Sequence, residues 1–421
     1  MRRLKRRLRS WIRKAKKIYK KSGFSGLSRA VVYRLTEKRR INRLKKKPPK
    51  LVENRILFES MVDFSDNCRA LFDYMIKEGL NQKYEIIWLV SDPRNFSEYS
   101  FHNVKFLRKT HPWSKKRSAE AFRYALSSKY LFYSHALNWV GMARRGQLFI
   151  DLWHGCGYKG QNDSSRRLFF DYCLVPGELF VQTKKEYFRC SSQKILPLGY
   201  PRYDMMLHGS DVARAYSERL KAETNSVKLV LWMPTYRHST SKRLNEESLT
   251  SDFNIPIINC ADQLVQLDRF CRDNGILLLI KRHQLQVPYD FGDNPLTNVL
   301  YLEDTDLVNE RVQLYEFIHY SDALITDYSS VAIDYLLLDR QIGFTLDDYE
   351  AYSDSRGWVF DNPLDYMPGE HIFDFQGFQD FLMNVRTGKD QFHEKRAEVI
   401  AVAHNQTENY CQRILDYFAI T

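Results

Sequence analysis

Residues 323–338 read ALITDYSSVAIDYLLL, which predicts a strand, a polar turn and a helix in direct succession. The apolar run at 323–325 is typical of a buried strand, and the apolar run at 331–338 is typical of a buried helix. The first backbone N–H groups of a helix have no partner within it, and the helix dipole favours negative charge there. The turn therefore predicts an anion site in which Ser329 and Ser330 supply hydroxyl donors. The alternative is that Ser329 only caps the helix.

The positive charge of the chain is concentrated at its N-terminus. The 421 residues carry a net charge of +13, and 44% are hydrophobic, which indicates a globular chain long enough for two domains. Residues 1–50 contain 22 of the 64 Lys and Arg residues but only one of the 51 Asp and Glu residues, Glu37. The remaining chain therefore holds 42 basic and 50 acidic residues. A basic arm joined to a mildly acidic body is the first division that the sequence indicates.

The cysteine and hydropathy patterns predict the cellular compartment. The seven cysteines include no C-x-x-C pair, which is typical of reduced thiols in a cytosolic protein. No apolar run reaches the roughly 18 residues of a transmembrane helix. The N-terminus also lacks the apolar segment of a secretory signal. We therefore expect a cytosolic chain without a membrane-spanning segment.

The basic arm has the pattern of an amphipathic helix. Its apolar residues recur at steps of three and four with Lys and Arg between them: Leu4, Leu8, Trp11, Ile12, Ala15, Ile18 and Tyr19. Such a helix lies on an anionic membrane, where each basic residue adds about 1 kcal/mol. A disordered tail and a nucleic-acid arm are the alternatives, but neither needs an apolar face. We therefore predict that residues 1–50 bind an anionic membrane, not nucleic acid, and hold the protein peripherally at the cytoplasmic face of the cell membrane.

Beyond residue 50, short apolar runs such as 85–90 alternate with helical patterns such as 263–273. Repeated alternation predicts parallel sheets covered by helices, with ligands at the carboxyl ends of the strands. We therefore predict an α/β protein with two Rossmann-like, doubly wound domains at 51–205 and 206–421, preceded by the basic amphipathic helical arm. Neither G-x-G-x-x-G nor a P-loop motif is present, so dinucleotide and Walker-type sites are not indicated.

The sequence LWHGCGYKG at 152–160 places His154 directly after a predicted strand and among glycines. Glycine lets the backbone approach a ligand closely. Histidine is the side chain best suited to take a proton near neutral pH. His154 is therefore a candidate general base, and the alternative is a histidine whose hydrogen bonds are satisfied within a glycine-rich turn.

Three further polar motifs occur at predicted strand ends or turns. They are GYPRYD with Arg202, WMPTYR with Arg237, and KRH at 281–283. Arginine binds phosphate in a bidentate manner, and two cations beside a histidine can hold a pyrophosphate. Each motif alone could be a solvated turn or a charged loop. Together with His154 and the Ser-Ser turn they indicate a proton acceptor facing an anion site, without a metal-binding spacing such as H-E-x-x-H.

In their order along the chain, these motifs resemble those of the CDP-glycerol glycerophosphotransferases, which build teichoic acids and related poly(polyol phosphate) polymers. The matching segments are 154–158, 199–202, 234–237, 281–283 and 326–334. The resemblance extends from about residue 51 to residue 420. Three segments differ from the usual family pattern: HGCG at 154–157, KRHQ at 281–284 and HNQT at 404–407. Because of these differences, the polyol and the acceptor stay open.

The resemblance implies a glycosyltransferase-B-like fold and a transferase of teichoic acid or capsule-type polymer synthesis. The reaction it implies moves a polyol phosphate, first of all glycerol phosphate, from a CDP-activated donor to a hydroxyl of a lipid-linked polyol-phosphate or glycan acceptor, with release of CMP. It implies His154 as the base and His283 as the residue that stabilises charge on the leaving CMP, and it implies no metal ion or cofactor.

The substrate-binding residues that the resemblance implies are Gly155, Cys156, Gly157, Tyr158, Arg202, Pro234, Thr235, Arg237, Lys281, Arg282, Asp327, Ser329, Ser330 and Asp334. Two alternatives to this function stay open. One is a nucleotide-sugar glycosyltransferase or epimerase of the same fold, and the other is a non-catalytic membrane-binding protein.

Overall fold

The computed structural model describes residues 36–110, 118–135, 144–160, 169–235, 255–281 and 296–421, together with Lys16, Tyr19, Lys20, residues 23–26, Ser28, Val31 and Val32 of the arm. Contacts between residues divide the chain into two compact units. The first consists of Met1–Cys68, Phe72–Asp151 and Phe169–Asp171, and the second consists of Arg69–Leu71, Leu152–Leu168 and Tyr172–Thr421. The segment that carries His154 therefore belongs to the second unit.

The first unit is built on parallel strands, which are β1 Val52–Glu59, β2 Glu85–Val90, β3 Val104–Arg108, β4 Ser128–Tyr133 and β5 Leu148–Asp151. Neighbours in the order β3-β2-β1-β4-β5 are hydrogen-bonded in parallel. Helix Asp66–Lys77 follows β1, and helix Ala119–Ser127 precedes β4. Parallel strands that are buried on both faces appear in a sequence as continuous apolar runs. The run at 86–90 in β2 is accordingly buried throughout.

Strand register builds the aromatic centre of the first unit. Phe58 in β1 lies opposite Trp88 in β2 and Phe132 in β4. The Phe58 ring stacks on both neighbours, with ring centroids 5.2 and 5.5 Å apart. Such aromatic pairs add about 0.5–1.5 kcal/mol beyond the burial of their area. A shift of one residue in this register would separate all three rings.

The last part of the arm packs against the first unit. Residues 36–46 are helical, and the helix ends before Pro48. Glu37, the single acid of the arm, is buried, and its carboxylate accepts a hydrogen bond from the backbone N–H of Ala119. That N–H lies in the first turn of helix Ala119–Ser127, where donors have no intrahelical partner. The residues of the predicted membrane-binding face from Leu4 to Ile18 lie outside the described residues.

The second unit contains a parallel pair, β6 Tyr172–Leu174 and β7 Ile195–Leu196. It also contains a parallel sheet made of β8 Lys228–Met233, β9 Ile276–Lys281, β10 Val299–Leu302, β11 Ala323–Thr326, β12 Gln341–Thr345 and β13 Glu370–Ile372. The strand order of this sheet is β10-β9-β8-β11-β12-β13. Every residue of β9 and β11 is buried, as expected for the interior of a covered parallel sheet.

Helices surround the strands of the second unit. Their bounds are Val181–Phe188, Arg202–His208, Asp211–Glu223, Ala261–Asp273, Asp304–Asn309, Leu314–Ile318, Val331–Tyr335, Tyr349–Arg356, Phe375–Thr387, His393–Ala403 and Tyr410–Tyr417. Helices Ala261–Asp273 and Phe375–Thr387 share one core with the sheet. This core contains Leu264 and Leu267 of the first helix, Phe378 of the second, Trp232 of β8 and Ile280 of β9.

The strand, turn and helix predicted at 323–338 are present, but the helix is short. Strand β11 ends at Thr326, and helix Val331–Tyr335 passes into a 3₁₀ turn at Leu336–Leu338. Asp339 then ends the segment in the left-handed conformation, with φ of 47°. Across the described ranges, no helix combines the length and apolar character needed to cross a membrane. The predicted α/β fold with two parallel sheets is confirmed.

Candidate active site

The candidate residues that the structure describes all lie in the second unit. They occur in the segment after β5, at the start of helix Arg202–His208, at the end of β9, in the residues that follow β8 and β11, and in helix Val331–Tyr335. Three candidates, Arg237, Arg282 and His283, lie outside the described residues. The site that follows is therefore built without them.

The glycine-rich segment after β5 lies directly against the turn after β11. A Cβ atom on Gly155 would lie 3.0 Å from the Cβ of Ser330, and one on Gly157 would lie 2.9 Å from the Ser330 Cα. Gly155 also has a φ of +140°, which side chains disfavour. Glycine is needed at 155 because of this φ and the nearby Ser330 side chain, and at 157 because the two backbones approach so closely. This contact places the His154 segment beside the Ser-Ser turn.

Asp334 organises a buried polar cluster under the site, which we call the Asp334 cluster. Its carboxylate pairs with Arg202 at 2.6 Å, and the Asp334 and Arg202 side chains are 0% and 5% exposed. The Tyr203 hydroxyl donates to the other carboxylate oxygen at 2.5 Å, and the Tyr315 hydroxyl donates to the oxygen that Arg202 contacts. Burial raises the pKa of Tyr203 well above its usual range, so this hydroxyl stays protonated and continues to donate.

Arg202 joins the Asp334 cluster to the backbone at His154. The guanidinium nitrogen that contacts Asp334 also donates to the His154 carbonyl oxygen at 3.1 Å. The guanidinium lies over the Tyr315 ring, 4.3 Å from its centroid. A guanidinium fixed by a carboxylate and an aromatic face has little freedom to move. The position of the His154 backbone is thus coupled to Asp334 through a single side chain.

The side chain of His154 is exposed, unlike the groups that hold its backbone. Its ring lies 4.1 Å from the Trp153 ring, measured between centroids. Trp153 has a φ of 56°, in the left-handed region that is uncommon for large side chains. Its indole N–H donates to the Gly155 carbonyl at 2.7 Å. This arrangement leaves the His154 imidazole at the surface with one face against an aromatic ring.

Cys156 and Tyr158 of the same segment point into the protein. The Cys156 thiol is buried, lies 3.3 Å from the Tyr200 hydroxyl, and has a pKa raised by its burial, which disfavours a nucleophilic thiolate. Tyr158 is fully buried and donates to the Tyr366 carbonyl at 3.0 Å. Burial also raises the Tyr158 pKa. Both side chains anchor the segment in the core.

The two serines of the turn are only half-buried. Ser330 is the first residue before helix Val331–Tyr335, yet the structure shows no side-chain capping bond there. Neither serine hydroxyl forms a hydrogen bond to another group in the described part of the chain. The simple capping alternative therefore finds no support, and both hydroxyls are available to a ligand.

A second network joins the ends of β8 and β11. Asp327 accepts hydrogen bonds from the Thr235 backbone N–H at 2.9 Å and from its hydroxyl at 2.5 Å. Lys159 donates to the same hydroxyl at 2.9 Å. Asp327 is fully buried and Pro234 is buried beside it, so this network fixes the loop after β8. Lys281 at the end of β9 is paired with Asp304 at 2.7 Å.

Sequence reasoning missed several residues that shape the site. Tyr203 adjoins Arg202 in the GYPRYD motif, so its proximity in the chain was a usable signal. Tyr315 lies far from every motif, and nothing in its local sequence indicates that it binds Asp334. Within the described ranges, the structure contains no cluster of three or more His, Cys, Asp or Glu side chains suited to a metal ion.

Comparison with known proteins connects this site to one family. The family model described as CDP-Glycerol:Poly(glycerophosphate) glycerophosphotransferase matches residues 41–417. The chain is 25% identical over 402 residues to a teichoic acid poly(glycerol phosphate) polymerase of Staphylococcus epidermidis, covering 87% of this chain and 50% of that protein. It is 26% identical over 373 residues to a teichoic acid glycerol-phosphate transferase of Staphylococcus aureus, covering 82% of this chain and 87% of that protein.

A solved structure shows the same fold. The wall teichoic acid polymerase TagF superimposes with a TM-score of 0.69 and 20% sequence identity, over 93% of this chain and 96% of that one. The chain spans about half the length of the Staphylococcus epidermidis relative and most of the Staphylococcus aureus one.

Proposed function

Because this chain belongs to the family of CDP-Glycerol:Poly(glycerophosphate) glycerophosphotransferases, we propose that it transfers a polyol phosphate from a CDP-activated donor to a hydroxyl of a lipid-linked acceptor, with release of CMP. The observation that carries the proposal is the contact of the His154 segment with Ser330. The backbone on the C-terminal side of the exposed His154 thereby lies against the turn that carries the Ser329 and Ser330 hydroxyls. A phosphoryl transfer needs a base close to an anion-binding surface.

In the proposed reaction His154 takes the proton of the acceptor hydroxyl. The acceptor oxygen forms a bond to the phosphorus that carries the polyol, and the bond from that phosphorus to the CMP oxygen breaks. The electron pair leaves with CMP as charge on its phosphate. A base of this kind contributes about 10²–10⁴-fold to a rate.

The donor phosphates lie, in this proposal, against the Ser329 and Ser330 hydroxyls. Neither hydroxyl has to give up a hydrogen bond within the described chain to accept this role. His283, Arg237 and Arg282 supply further positive charge to the donor, as the family resemblance implies. Charge-assisted hydrogen bonds to phosphate are shorter and stronger than neutral ones.

Arg202 and Asp334 have a different place in the proposal. Both oxygens of Asp334 already accept hydrogen bonds inside a closed cluster. A fully buried carboxylate with these partners favours a positioning role over direct contact with the donor. We assign Asp334 to the placement of Arg202, and Arg202 to the placement of the His154 backbone.

The acceptor in this proposal is a lipid-linked chain at the cytoplasmic face of the cell membrane. The basic arm supports the location, since an amphipathic helix with many Lys and Arg residues binds anionic lipid. Such an arm would hold the enzyme where a lipid-anchored hydroxyl is available. The polymer made is then of the teichoic acid or capsule type.

Donor-resolved release of CMP tests the proposed activity. Purified protein would be incubated with a lipid-linked glycerol phosphate acceptor and, in parallel reactions, CDP-glycerol, CDP-ribitol and UDP-N-acetylglucosamine. CMP release from CDP-glycerol with a heavier acceptor by mass spectrometry is expected. CMP release from CDP-ribitol alone would identify ribitol and not glycerol as the transferred polyol. Turnover of UDP-N-acetylglucosamine alone would replace the proposed reaction with glycosyl transfer.

A liposome experiment tests the membrane role of the arm. Replacing Leu8 and Trp11 by Asp should abolish sedimentation with anionic vesicles while most of the basic charge stays. A control with Arg9 and Arg13 replaced by Gln keeps the apolar face and should lose only part of the binding. If the Asp variant sediments like the unaltered protein, the amphipathic helix is not the anchor, and DNA binding by the unaltered protein would favour a nucleic-acid arm.

A further inference from the structure

Lys184 is a buried cation that the proposed transfer does not use. It lies in helix Val181–Phe188, and only 1% of its surface is exposed. Its ammonium nitrogen lies 4.9 Å from the Trp153 ring centroid and 5.3 Å from that of Tyr187. Within the residues that the structure describes, it forms no ion pair with a carboxylate. Lysine is almost never fully buried unless its charge is paired, so this burial requires an explanation.

The aromatic contacts account for only part of that burial. A cation–π contact offsets a small share of the cost of taking an ammonium group out of water. A bound anion would account for the remainder, because the ammonium group forms no ion pair with a carboxylate in the described part of the chain.

Lys184 and Arg202 both act on the buried Cys156 thiol, but the two cations differ in their partners. Asp334 pairs with Arg202 at 2.6 Å, so that cation is neutralised. Lys184 has no equivalent partner among the described residues, and its ammonium nitrogen lies against the Trp153 ring, which directly precedes His154. A buried surplus cation of this kind suits a ligand with a negative charge.

The ammonium group of Lys184 is close to the candidate base. The Trp153 ring contacts both side chains, with its centroid 4.9 Å from the Lys184 nitrogen and 4.1 Å from the His154 ring centroid. Taken together, these distances keep the ammonium nitrogen within about 9 Å of the imidazole. This upper limit places the ammonium group near enough to act on a phosphate close to the reacting hydroxyl.

We propose that Lys184 binds the phosphodiester of the acceptor that lies next to the hydroxyl deprotonated by His154. This inference rests on the proposed function and adds an acceptor-binding residue to it. The acceptor is favoured over the donor by the contacts of the loop. Gly155 and Gly157 contact Ser330 on the proposed donor side, whereas Lys184 contacts the Trp153 ring that precedes them.

Steady-state kinetics with a matched pair of variants test this role. Lys184→Met keeps the length of the side chain and removes its charge. Lys185→Met is the control, because Lys185 is its neighbour in the same helix and donates to Gln182 instead. The KM for the acceptor should rise about ten- to a hundred-fold in Lys184→Met, the effect of one hydrogen bond to a charged group. The KM for the CDP donor should stay near that of Lys185→Met, and Lys184→Arg should recover much of the loss.

Three results would overturn the assignment. They are an acceptor KM equal to that of Lys185→Met, a selective rise in the donor KM, or a loss of kcat with an unchanged acceptor KM. The last result would indicate a structural role. The acceptor KM of the unaltered protein should also increase with salt, more steeply than that of Lys184→Met.

A measurement without turnover separates this inference from the proposed function. Glycerol 3-phosphate should raise the thermal midpoint of the unaltered protein and of Lys185→Met more than that of Lys184→Met, which keeps only the proposed donor site. Equal shifts in all three proteins would refute a phosphate site at Lys184. If the unaltered protein releases no CMP from any CDP donor, the proposed function fails, and the thermal shifts still decide whether Lys184 binds a phosphate.

Discussion

Two groups of polar residues from the same motifs have opposite environments. In the Asp334 cluster, both carboxylate oxygens accept hydrogen bonds and the ion pair with Arg202 is almost fully buried. In the open turn, which we define as His154, Ser329 and Ser330, side chains are exposed or half-buried. Ser330 and Asp334 are only four residues apart in the chain. Proximity within a motif therefore does not distinguish a residue that fixes geometry from one that meets a ligand.

Breaking the closed cluster should have the largest effect. Asp334→Asn removes the charge that compensates Arg202, and breaking a buried pair costs about 3–5 kcal/mol. We expect the free energy of unfolding in urea to fall by that amount and CMP release to fall with it. Asp354→Asn, at an exposed position in the same unit, is the control and should be neutral. A loss below about 1 kcal/mol, the range of a surface pair, would mean that the cluster is not closed.

Breaking the open turn should remove activity and leave stability unchanged. His154→Ala should lower the rate of CMP release by about 10²–10⁴-fold, because it removes the proposed base. His371→Ala, at another exposed histidine, is the control. Equal thermal midpoints for the three proteins would confirm that the change is chemical. Full activity of His154→Ala would exclude it as the base.

The contact between the two regions can be tested at Gly157. Gly157→Ala would place a methyl group 2.9 Å from the Ser330 Cα, which is a backbone atom that cannot move aside. Overpacking of this kind costs about 1–3 kcal/mol, and we also expect a higher KM for the donor. Gly377→Ala is a suitable control, since a Cβ there would have no neighbour closer than 3.5 Å. If Gly157→Ala and Gly377→Ala have the same free energy of unfolding, the close approach of Gly157 to Ser330 is wrong.

The smallest effect should be a pH dependence on the closed side. His404 is buried, its Nε2–H donates to the Ile333 carbonyl at 2.8 Å, and burial lowers its pKa from 6.5. As the pH falls through 6.5, His404 takes up a proton in the unfolded chain before it does so in the folded chain. The free energy of unfolding therefore decreases as the pH is lowered. Between pH 7.5 and 5.5 we expect the free energy of unfolding to fall less in His404→Phe than in the unaltered protein. Identical pH profiles of urea unfolding would contradict it.

Local pattern was enough to predict the architecture. The run ILLLIK at 276–281 predicts a buried strand and forms one, and the glycines around His154 mark a close backbone approach. The predicted helix at 331–338 was too long, because five residues of α-helix give way to a 3₁₀ turn that periodicity does not resolve.

The partners of the site residues could not be predicted. Tyr315 binds Asp334 from another helix, and Lys184 contacts Trp153 from a helix with no recognisable motif. Such pairings are set by how distant elements pack, and one sequence carries no direct record of them. Burial is equally hidden, since nothing local distinguishes the closed Asp334 from an accessible carboxylate. The boundaries proposed at 205 and 206 stay a prediction.

The bond from Glu37 to Ala119 sets the limit for shortening this protein. The charge pattern suggests removing residues 1–50, but that cut would leave a backbone N–H at a helix start without its acceptor. An unsatisfied buried donor costs about 1–3 kcal/mol. A fragment that begins at residue 36 keeps the bond. Any loss of activity seen only in the shorter fragment should be attributed to damaged folding and not to the loss of lipid contact.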